Sequence, residues 1–353
     1  MKTKGLTATI VFEAQSLNYD EGYGNLSIIK KFHRGDGNVY TYASRQSLRY
    51  AIFIQGCQDP YKWKPSNVVL AGEGNKRVVQ LISDITESVE SDLFGYMRTN
   101  VPLNSEAEDK NLNSEAEDKK NKGEVSIMRT APVRLTPAIS LEPFRNDMEM
   151  LTNKYQSDKI QAQPNISNSE VHRSLYKYTI TVDLHRIGTE EDVIGTRISP
   201  NKETIKETED FKNFVEKFRK IHIDNEKKAQ RVKELLSIIG NLYRDIRGRR
   251  EDLKPLFIIG GVYDICNPFF ANIIRVDYTN NLPRIVLEPI RQILEHNTIK
   301  NHTYIGIREG IFMNTITEFQ AITTNVYSPE CVITKLQEEV TDYYKSNNSS
   351  CPK

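Results

Sequence analysis

Hydrogen-bonding and cationic side chains are concentrated in the segment RGDGNVYTYASRQSLRY, residues 34–50. The segment leads into a predicted helix that begins after Ser44, and Arg45 and Arg49 lie one turn apart on this helix. The start of a helix offers free amide donors and the positive end of the helix dipole, which suits a phosphate group. Two arginines at this spacing can hold neighbouring phosphates. An ordinary capped helix with arginines extended along the surface explains the same residues equally well.

The same region offers a second chemistry, the cleavage of RNA. A metal-dependent endoribonuclease would rest on Asp20, Asp36 or His33, with the last two as acid and base. An exposed histidine beside a loop aspartate is more often part of an ordinary polar loop. The segment AGEGNK, residues 71–76, lacks the spacing of a phosphate-binding loop, and HExxH, GxSxG and paired cysteine–histidine signatures do not occur. We therefore predict no catalytic residue, no bound metal and no cofactor.

Two further segments could contact a nucleic acid. The segment DLFGYMRT, residues 92–99, places Met97 among aromatic residues and beside Arg98, so a base could stack there; core packing is the alternative. The basic run RDIRGRREDLK, residues 244–254, is interleaved with acidic residues. We expect this run to be the solvated end of a helix rather than a binding site.

The composition restricts the class of protein. Of 353 residues, 38% are apolar and 27% are charged, which is typical of a soluble globular protein. The formal net charge of +1 leaves any attraction for nucleic acid to local clusters of positive charge. The four cysteines are scattered, so neither a disulfide framework nor structural zinc is expected. No apolar run is long enough to cross a membrane and the N-terminus lacks the apolar block of a signal peptide, which predicts a cytoplasmic protein.

Alternating strands and amphipathic helices must position these residues. Residues 6–14 and 176–184 alternate apolar and polar side chains, which predicts antiparallel strands with one covered face. Helical spacing of apolar residues occurs after Ser44, over 211–218, over 229–246 and after Ser328. A further strand is predicted at 256–264. This order predicts an α+β protein with the antiparallel sheet of a ferredoxin-like or RNA-recognition-motif fold.

Polar segments interrupt this core twice. The octapeptide LNSEAEDK occurs at 103–110 and again at 112–119. It has too few apolar residues to bury the surface that would offset the entropy of ordering, so we predict an acidic disordered loop over 100–127. Two regions inserted into the core are predicted, at about 59–128 and about 142–173.

Five segments, taken in order, resemble a known family. They are GLTATIVFEAQSLNYDEGYGN, RGDGNVYTYASRQSLRYAI, DLFGYMR, RTAPVRLTPAISLEPF and YKYTITVDLHRIG, and they cover most of residues 5–187. They resemble the backbone subunit of type I CRISPR Cascade effector complexes, in particular the subtype I-B form, also called the DevR autoregulator group. The resemblance implies a hand-shaped subunit with an RNA-recognition-motif palm, an inserted finger region and a thumb.

The resemblance also implies a function in antiviral defence. Copies of such a subunit polymerise head-to-tail along the CRISPR guide RNA, hold its backbone and displace one base at regular intervals. The implied partners are the guide RNA, target DNA through the guide, further copies in a helical filament and the other Cascade subunits, with no membrane. This branch of the family has no nuclease activity of its own. A transcriptional autoregulator is suggested only by the group's name, and no helix-turn-helix lies in a suitable basic context.

Carried over to this chain, the resemblance predicts domains and contact residues. The predicted divisions are a palm at 1–58, 129–141 and 174–345, a finger at 59–128 that includes the acidic loop, a thumb at 142–173 and a flexible tail at 346–353. The family's backbone grip corresponds to Ser44, Gln46, Ser47 and Arg49. The base-propping methionine corresponds to Met97, and Met150 is a further candidate near the thumb base. The predicted RNA-binding residues are Lys31, Arg34, Tyr42, Ser44, Arg45, Gln46, Ser47, Arg49, Met97, Arg98, Arg129, Phe144 and Met148.

Overall fold

The computed structural model describes residues 3–71, 77–99, 124–198 and 209–347. The strands are β1 (Gly5–Gln15), β2 (Leu26–Ser27), β3 (Lys31–His33), β4 (Val39–Ala43), β5 (Val68–Ala71), β6 (Val78–Leu81), β7 (Tyr96–Arg98), β8 (Glu124–Arg129), β9 (Val133–Leu135), β10 (Ala138–Ser140), β11 (Asp147–Thr152), β12 (Ile166–Val171), β13 (Arg173–Asp183), β14 (Ile194–Ile198), β15 (Tyr243–Ile246), β16 (Arg249–Asp252), β17 (Phe257–Tyr263), β18 (Val276–Thr279), β19 (Leu282–Ile285), β20 (Thr303–Ile307) and β21 (Val326–Tyr327).

The helices join these strands at the surface of the sheets. They are α1 (Arg45–Gly56), α2 (Val89–Phe94), α3 (Lys154–Lys159), α4 (Glu209–Arg219), α5 (Asn225–Gly240), α6 (Glu288–Leu294), α7 (Asn297–Lys300), α8 (Ile316–Gln320) and α9 (Pro329–Ser346). Among the described residues, no helix combines the length and the apolar character that crossing a membrane requires. The acidic repeat and the tail beyond residue 347 lie outside the described residues.

The largest sheet has β1 near its centre, between β13 and β17. Its strand order is β21-β20-β17-β1-β13-β10-β4-β3, and β9 also pairs with β13. β1 is antiparallel to both neighbours, and Ile10 lies opposite Tyr178 on one side and Ile258 on the other. β9 and β10 pair with successive parts of β13, so they act as two halves of one neighbouring strand.

Both faces of this sheet are covered around β1, which corrects the prediction of one covered face. On one face, Leu6 and Phe12 pack with residues of α1, α5 and α9. On the other face, Val11 belongs to a second core, built largely from the chain between β17 and β21. Among the polar residues that cause the alternation, Thr9 is buried with a partner, because its hydroxyl and that of Thr179 lie 2.8 Å apart and share a hydrogen bond. Alternation alone could not reveal this second layer.

Helix α5 ends at Gly240, before the end at residue 246 that the apolar spacing predicts. Leu242 is still buried, but the chain then forms the hairpin of β15 and β16. Arg247 and Gly248 occupy its turn, with φ angles of 48° and 77°. Two consecutive residues with positive φ give a turn whose twist matches that of the flanking strands. The basic run is therefore a hairpin, and the prediction of a solvated helix end was wrong.

A second, smaller sheet has the order β14-β8-β7 and packs against α4. Its buried residues are Tyr96, Ile127, Val193, Phe211 and Val215. The predicted division assigns β14 and α4 to the palm at 174–345, whereas they pair and pack with strands of the predicted finger. The spacing of apolar residues identifies an element but not the sheet on which it packs. In addition, β8 begins at Glu124, so the last residues of the predicted acidic loop form a strand.

The segment predicted to be the thumb contains an antiparallel pair, β11 and β12, with α3 at its tip. We call β11, α3 and β12 the excursion. The hairpin of β15 and β16 holds the excursion near its base. Arg249 Nη1 lies 3.2 Å from a carboxylate oxygen of Glu149 on β11. Arg247 donates a hydrogen bond of 2.9 Å to the Ser169 hydroxyl on β12.

Candidate nucleic-acid interface

Helix α1 begins where its sequence predicts, after Ser44. The Ser44 hydroxyl accepts hydrogen bonds from the Ser47 amide and from Asn18 Nδ2, both at 3.2 Å. The amides of Arg45 and Gln46 have no acceptor among the described residues, and both side chains are exposed. The Ser47 hydroxyl is buried and has no hydrogen-bond partner among the residues that the structure describes. Free amides at the positive end of a helix dipole can bind an anion, so the first turn of α1 can hold a phosphate.

Arg45 and Arg49 have different environments. Arg45 forms no ion pair or hydrogen bond with the described residues. Arg49 is half-buried: its Nη2 lies 3.2 Å from Glu90, and its guanidinium lies 4.8 Å from the ring centre of Phe94. Burial lowers the pKa of Arg49, and the Glu90 carboxylate opposes that effect. Arg45 is therefore available to a phosphate, whereas Arg49 is already paired with α2.

The turn between β3 and β4, which precedes α1 in the chain, is stabilised by its own side chains. The Asp36 carboxylate accepts hydrogen bonds from the Asn38 amide at 3.0 Å and from the Tyr40 hydroxyl at 2.7 Å. These hydrogen bonds lower the pKa of Asp36. Arg34 is exposed, and its guanidinium lies 5.2 Å from the ring centre of Tyr40. Asp36 thus shapes the turn that presents Arg34 to solvent.

Two of the three residues named for an endoribonuclease, Asp20 and Asp36, have partners within the protein. Asp20 pairs with Lys30 at 3.3 Å, and Asp36 is occupied within its turn. His33 is exposed at the end of β3. In the part of the chain that the structure describes, no group of three or more histidine, cysteine or acidic residues could hold a metal ion. Asp20 and Asp36 are therefore each committed to a partner within the protein.

Lys31 and Phe144, both predicted to contact RNA, connect the main sheet to the excursion. Lys31 Nζ lies 2.6 and 2.7 Å from the two carboxylate oxygens of Glu170 on β12 and 4.4 Å from the ring centre of Phe144. The Phe144 ring packs edge-on against His172, with 5.4 Å between ring centres. Tyr42 is half-buried on β4. Lys31 and Phe144 therefore already have partners inside the protein, and their first role is packing.

Met97 lies in an exposed apolar row that crosses the small sheet. It is opposite Met128 on β8, and Met128 is opposite Ile194 on β14. The three side chains are 59%, 40% and 49% exposed, respectively. The sequence predicts a contact at Met97 but not at Met128 or Ile194, because only the strand pairing shows that residues so far apart in sequence are neighbours. Three exposed apolar side chains on neighbouring strands offer a surface on which a base could stack.

Arg98, which the resemblance predicts as an RNA contact, is buried. Its Nη2 donates a hydrogen bond of 2.8 Å to the Ser83 carbonyl oxygen. Its guanidinium also lies 4.1 Å from the ring centre of Tyr96. Because side chains alternate along a strand, an exposed Met97 requires that its neighbour Arg98 point inward. The alternation of β7 could have shown that both residues cannot face the same ligand.

Arg129, another predicted RNA contact, is also buried. Its Nη2 lies 2.8 Å from Asp92 and its Nη1 lies 3.9 Å from Glu190, and none of these three side chains is exposed. Asp92 also accepts a hydrogen bond of 2.6 Å from Arg231 on α5. Burial raises the pKa of Glu190 to about 7, and Arg129 opposes that effect. This buried ionic cluster joins the small sheet to the main core.

The excursion carries a second exposed apolar surface. Met148 and Met150 are 49% and 65% exposed on β11. Ile166, at the start of β12, lies on the same face and is also exposed. The opposite face of β11 contains Glu149, which pairs with Arg249 of the hairpin. Met148 and Met150 therefore present apolar side chains to solvent, whereas Glu170, which shares their face on β12, is buried against Lys31.

Comparison with known proteins identifies the family of this chain. Residues 6–281 match the family model described as CRISPR-associated negative auto-regulator DevR/Csa2. The chain is also similar in structure to a chain of a "CRISPR RNA-guided surveillance complex, pre-nicking", with 11% identity, a TM-score of 0.50, and 95% of this chain and 100% of that chain covered. A chain of a "CRISPR RNA-guided surveillance complex" has 10% identity and a TM-score of 0.47, with coverage of 96% and 99%. No curated protein matches the chain. Because the family model spans more than half of its length, the chain belongs to the CRISPR-associated negative auto-regulator DevR/Csa2 family.

Proposed function

We propose that this protein is a structural subunit of a CRISPR RNA-guided surveillance complex of the Cascade type and that it binds the backbone of the guide RNA. The observation that carries this proposal is the first turn of α1, where two free amides, the exposed Gln46 side chain and the unpaired Arg45 coincide. Such groups hold phosphate and sugar without reading a base. A subunit that binds guides of different sequence needs this property.

The topology of the main sheet supports a palm of the RNA-recognition-motif type. In chain order the central elements are β1, α1, β9 with β10, β13, α5 and β17. In space the strands lie in the order β17-β1-β13-β10, and the pairs in this set are antiparallel. A strand–helix–strand unit that occurs twice, with the four strands interleaved in one antiparallel sheet, is the ferredoxin-like arrangement. The start of α1 lies directly after the β4 strand of this sheet.

In this proposal, the small sheet with α4 is the finger and the excursion is the thumb. The thumb of one copy contacts the finger and palm of the next, so the contact is head-to-tail and does not close on itself. The length of the assembly is then set by the guide RNA. The exposed residues Met97, Met128, Met148 and Met150 are the candidates that support a base displaced from the stack. The guide presents its remaining bases to target DNA, and the protein itself cleaves neither strand.

The experiment that tests the proposal measures the binding of a labelled, unstructured single-stranded RNA by Arg45→Ala. We expect the affinity to fall by about tenfold, because a charge-assisted contact to phosphate is lost. The slope of log K against log salt should shrink by about 0.7, the value for one phosphate contact on a single strand. Arg291→Ala is the matched control, since Arg291 is an exposed helix arginine on α6, on the opposite face of the main sheet. The control should bind like the unaltered protein.

The same preparation distinguishes the rival functions. Incubation with labelled RNA and Mg²⁺ should leave the RNA intact, whereas the endoribonuclease alternative requires cleavage. A double-stranded DNA of arbitrary sequence should compete poorly with RNA, whereas a transcriptional autoregulator requires a preferred DNA site. Equal effects of Arg45→Ala and Arg291→Ala on RNA affinity would reject the assignment of α1 as the RNA-binding element.

A further inference from the structure

The hairpin of β15 and β16 has two different faces. Residues directly opposite each other in the hairpin share a face, so the outer face is Tyr243, Asp245, Arg250 and Asp252 and the inner face is Arg244, Ile246, Arg249 and Glu251. On the outer face, Arg250 Nε lies 2.7 Å from Asp245 and its guanidinium lies 4.2 Å from the ring centre of Tyr243. The outer arginine is therefore neutralised within the hairpin.

The inner face leaves one arginine without a partner. Glu251, directly opposite Arg244, accepts a hydrogen bond of 3.0 Å from the Gln15 amide and pairs with Arg249 at 3.1 Å. Arg249 also reaches Glu149 of the excursion. The cross-strand carboxylate is thus committed elsewhere, and Arg244 forms neither an ion pair nor a hydrogen bond with any residue that the structure describes.

This unpaired guanidinium is half-buried rather than free in water. Burial lowers the pKa of Arg244, and the phenol of Tyr50 on α1 is the group that acts on it in the opposite direction. A partly desolvated charge without a counter-charge is unfavourable for folding. Residues that reduce stability in this way are typical of binding sites, where the ligand supplies the missing charge.

The hairpin places Arg244 next to α1, beyond the first turn of that helix. Tyr50 lies one helical turn after Gln46 and is 63% exposed. The hairpin is fixed to α1, because Gln55 on α1 accepts a hydrogen bond of 3.2 Å from the Tyr243 amide. A strand of RNA that binds the start of α1 and continues along its exposed side therefore meets Tyr50 and then Arg244.

We propose that Tyr50 and Arg244 form a second RNA-contact site, in which Arg244 binds a phosphate and Tyr50 stacks against a base or sugar of the same strand. The proposal rests on the proposed function, because it takes single-stranded RNA as the ligand. An exposed aromatic ring beside an unpaired guanidinium is the combination used by proteins that bind single strands without sequence preference. The basic run that contains Arg244 is thus a binding element, in spite of its interleaved acidic residues.

The test compares Arg244→Met with Arg250→Met, using fluorescein-labelled oligouridylate as the probe. Arg244→Met should weaken binding by about tenfold and reduce the salt slope by about 0.7. Arg250→Met changes the same residue type in the same hairpin, on the outer face, and should leave both quantities unchanged. Tyr50→Ala should also weaken binding, by about tenfold for the loss of one stacked base, with the salt slope unchanged.

Thermal unfolding separates a binding role from a structural one. Arg244→Met should keep or raise the midpoint temperature, because it removes a desolvated charge and retains the apolar stem. A lower midpoint together with unchanged RNA affinity would show that Arg244 is structural and would overturn the inference. If Arg45→Ala weakens binding but Arg244→Met and Tyr50→Ala do not, the inference fails while the proposed function stands. If the unaltered protein does not bind oligouridylate, the proposed function fails first.

Discussion

Arg129 and Asp92 form an ion pair of 2.8 Å in which neither side chain is exposed to solvent. Asp92 also binds Arg231 at 2.6 Å and accepts a hydrogen bond of 2.8 Å from the Gly188 amide. Arg129 belongs to β8 of the small sheet, whereas Arg231 belongs to α5 of the main core. A single carboxylate on α2 therefore holds together parts of the protein that are far apart in sequence.

We predict that Arg129→Met destabilises the protein strongly. Without the Arg129 guanidinium, the buried carboxylates of Asp92 and Glu190 have less positive charge to balance them. Breaking a buried ion pair in this way typically costs about 3–5 kcal/mol. Urea denaturation measures the change in the free energy of unfolding. Arg134→Met is the control, because Arg134 pairs with Asp183 at 3.1 Å but is itself 47% exposed. Asp183 is 11% exposed but keeps a second ion pair with Arg186 at 3.2 Å, so the loss for Arg134→Met should be about 1 kcal/mol or less. Similar losses for the two variants would show that the buried cluster does not join the sheets.

We predict that Glu190→Gln changes how stability depends on pH. The pKa of Glu190 is raised by burial from 4.5 to about 7 in the folded protein. The folded state therefore binds more protons than the unfolded state between these values, and this residue's contribution to stability is lost as pH rises through that range. The glutamine keeps an oxygen that can accept the hydrogen bond of Tyr96, now 3.1 Å from Glu190, and has no charge to bury.

The midpoint temperature of Glu190→Gln, relative to the unaltered protein, should therefore increase from pH 4.5 to pH 7. Parallel curves for the two proteins across that range would mean that Glu190 titrates normally. Glu191→Gln serves as the control, since Glu191 is exposed and adjacent in sequence. The midpoint temperature of Glu191→Gln should depend on pH in the same way as that of the unaltered protein.

The parts of the fold that depend on neighbouring residues follow from the sequence, and those that depend on distant partners do not. Ser44 caps α1 and Ser328 caps α9, as their sequences predict. The apolar spacing of α5, in contrast, continues past the end of the helix. Leu242 lies after the last helical residue but is still buried in the core. In the basic run 244–254, Arg247-Gly248 stands between two short segments of alternating charge. A glycine at that position is compatible with the tight turn of a hairpin.

The candidate site shows the same division. The free amides after Ser44 and the exposed Arg45 follow from the cap, which is local. Arg98 and Arg129 look like cationic contacts in the sequence, because their partners on other elements are invisible there. The interleaved acids of the run 244–254 predict a neutralised segment, whereas Asp245 and Glu251 pair with Arg250 and Arg249 and leave Arg244 without an ion pair among the described residues. The identity of each ion pair is a property of the tertiary structure and not of the charge pattern.

We predict that the apolar row on the small sheet acts in assembly and not in stability. Replacement of both Met97 and Met128 by serine should change the free energy of unfolding by about 0.5 kcal/mol or less, because the side chains are exposed. Nuclease footprinting on assemblies with guide RNA should lose the evenly spaced reactive nucleotides that displaced bases produce. Ile265→Ser, at another exposed apolar residue, should preserve them. An unaltered footprint in the double variant would exclude this row as the support for displaced bases.

The hairpin of β15 and β16 has connections in two directions. It is bonded to α1 through Gln55, and its arginines bind Glu149 and Ser169 in the excursion. The distance between α1 and the excursion is therefore fixed by the folded hairpin that is bonded to both. In the proposed complex, the spacing imposed on a bound guide RNA would then be a dimension of the protein and would be the same for guides of every sequence.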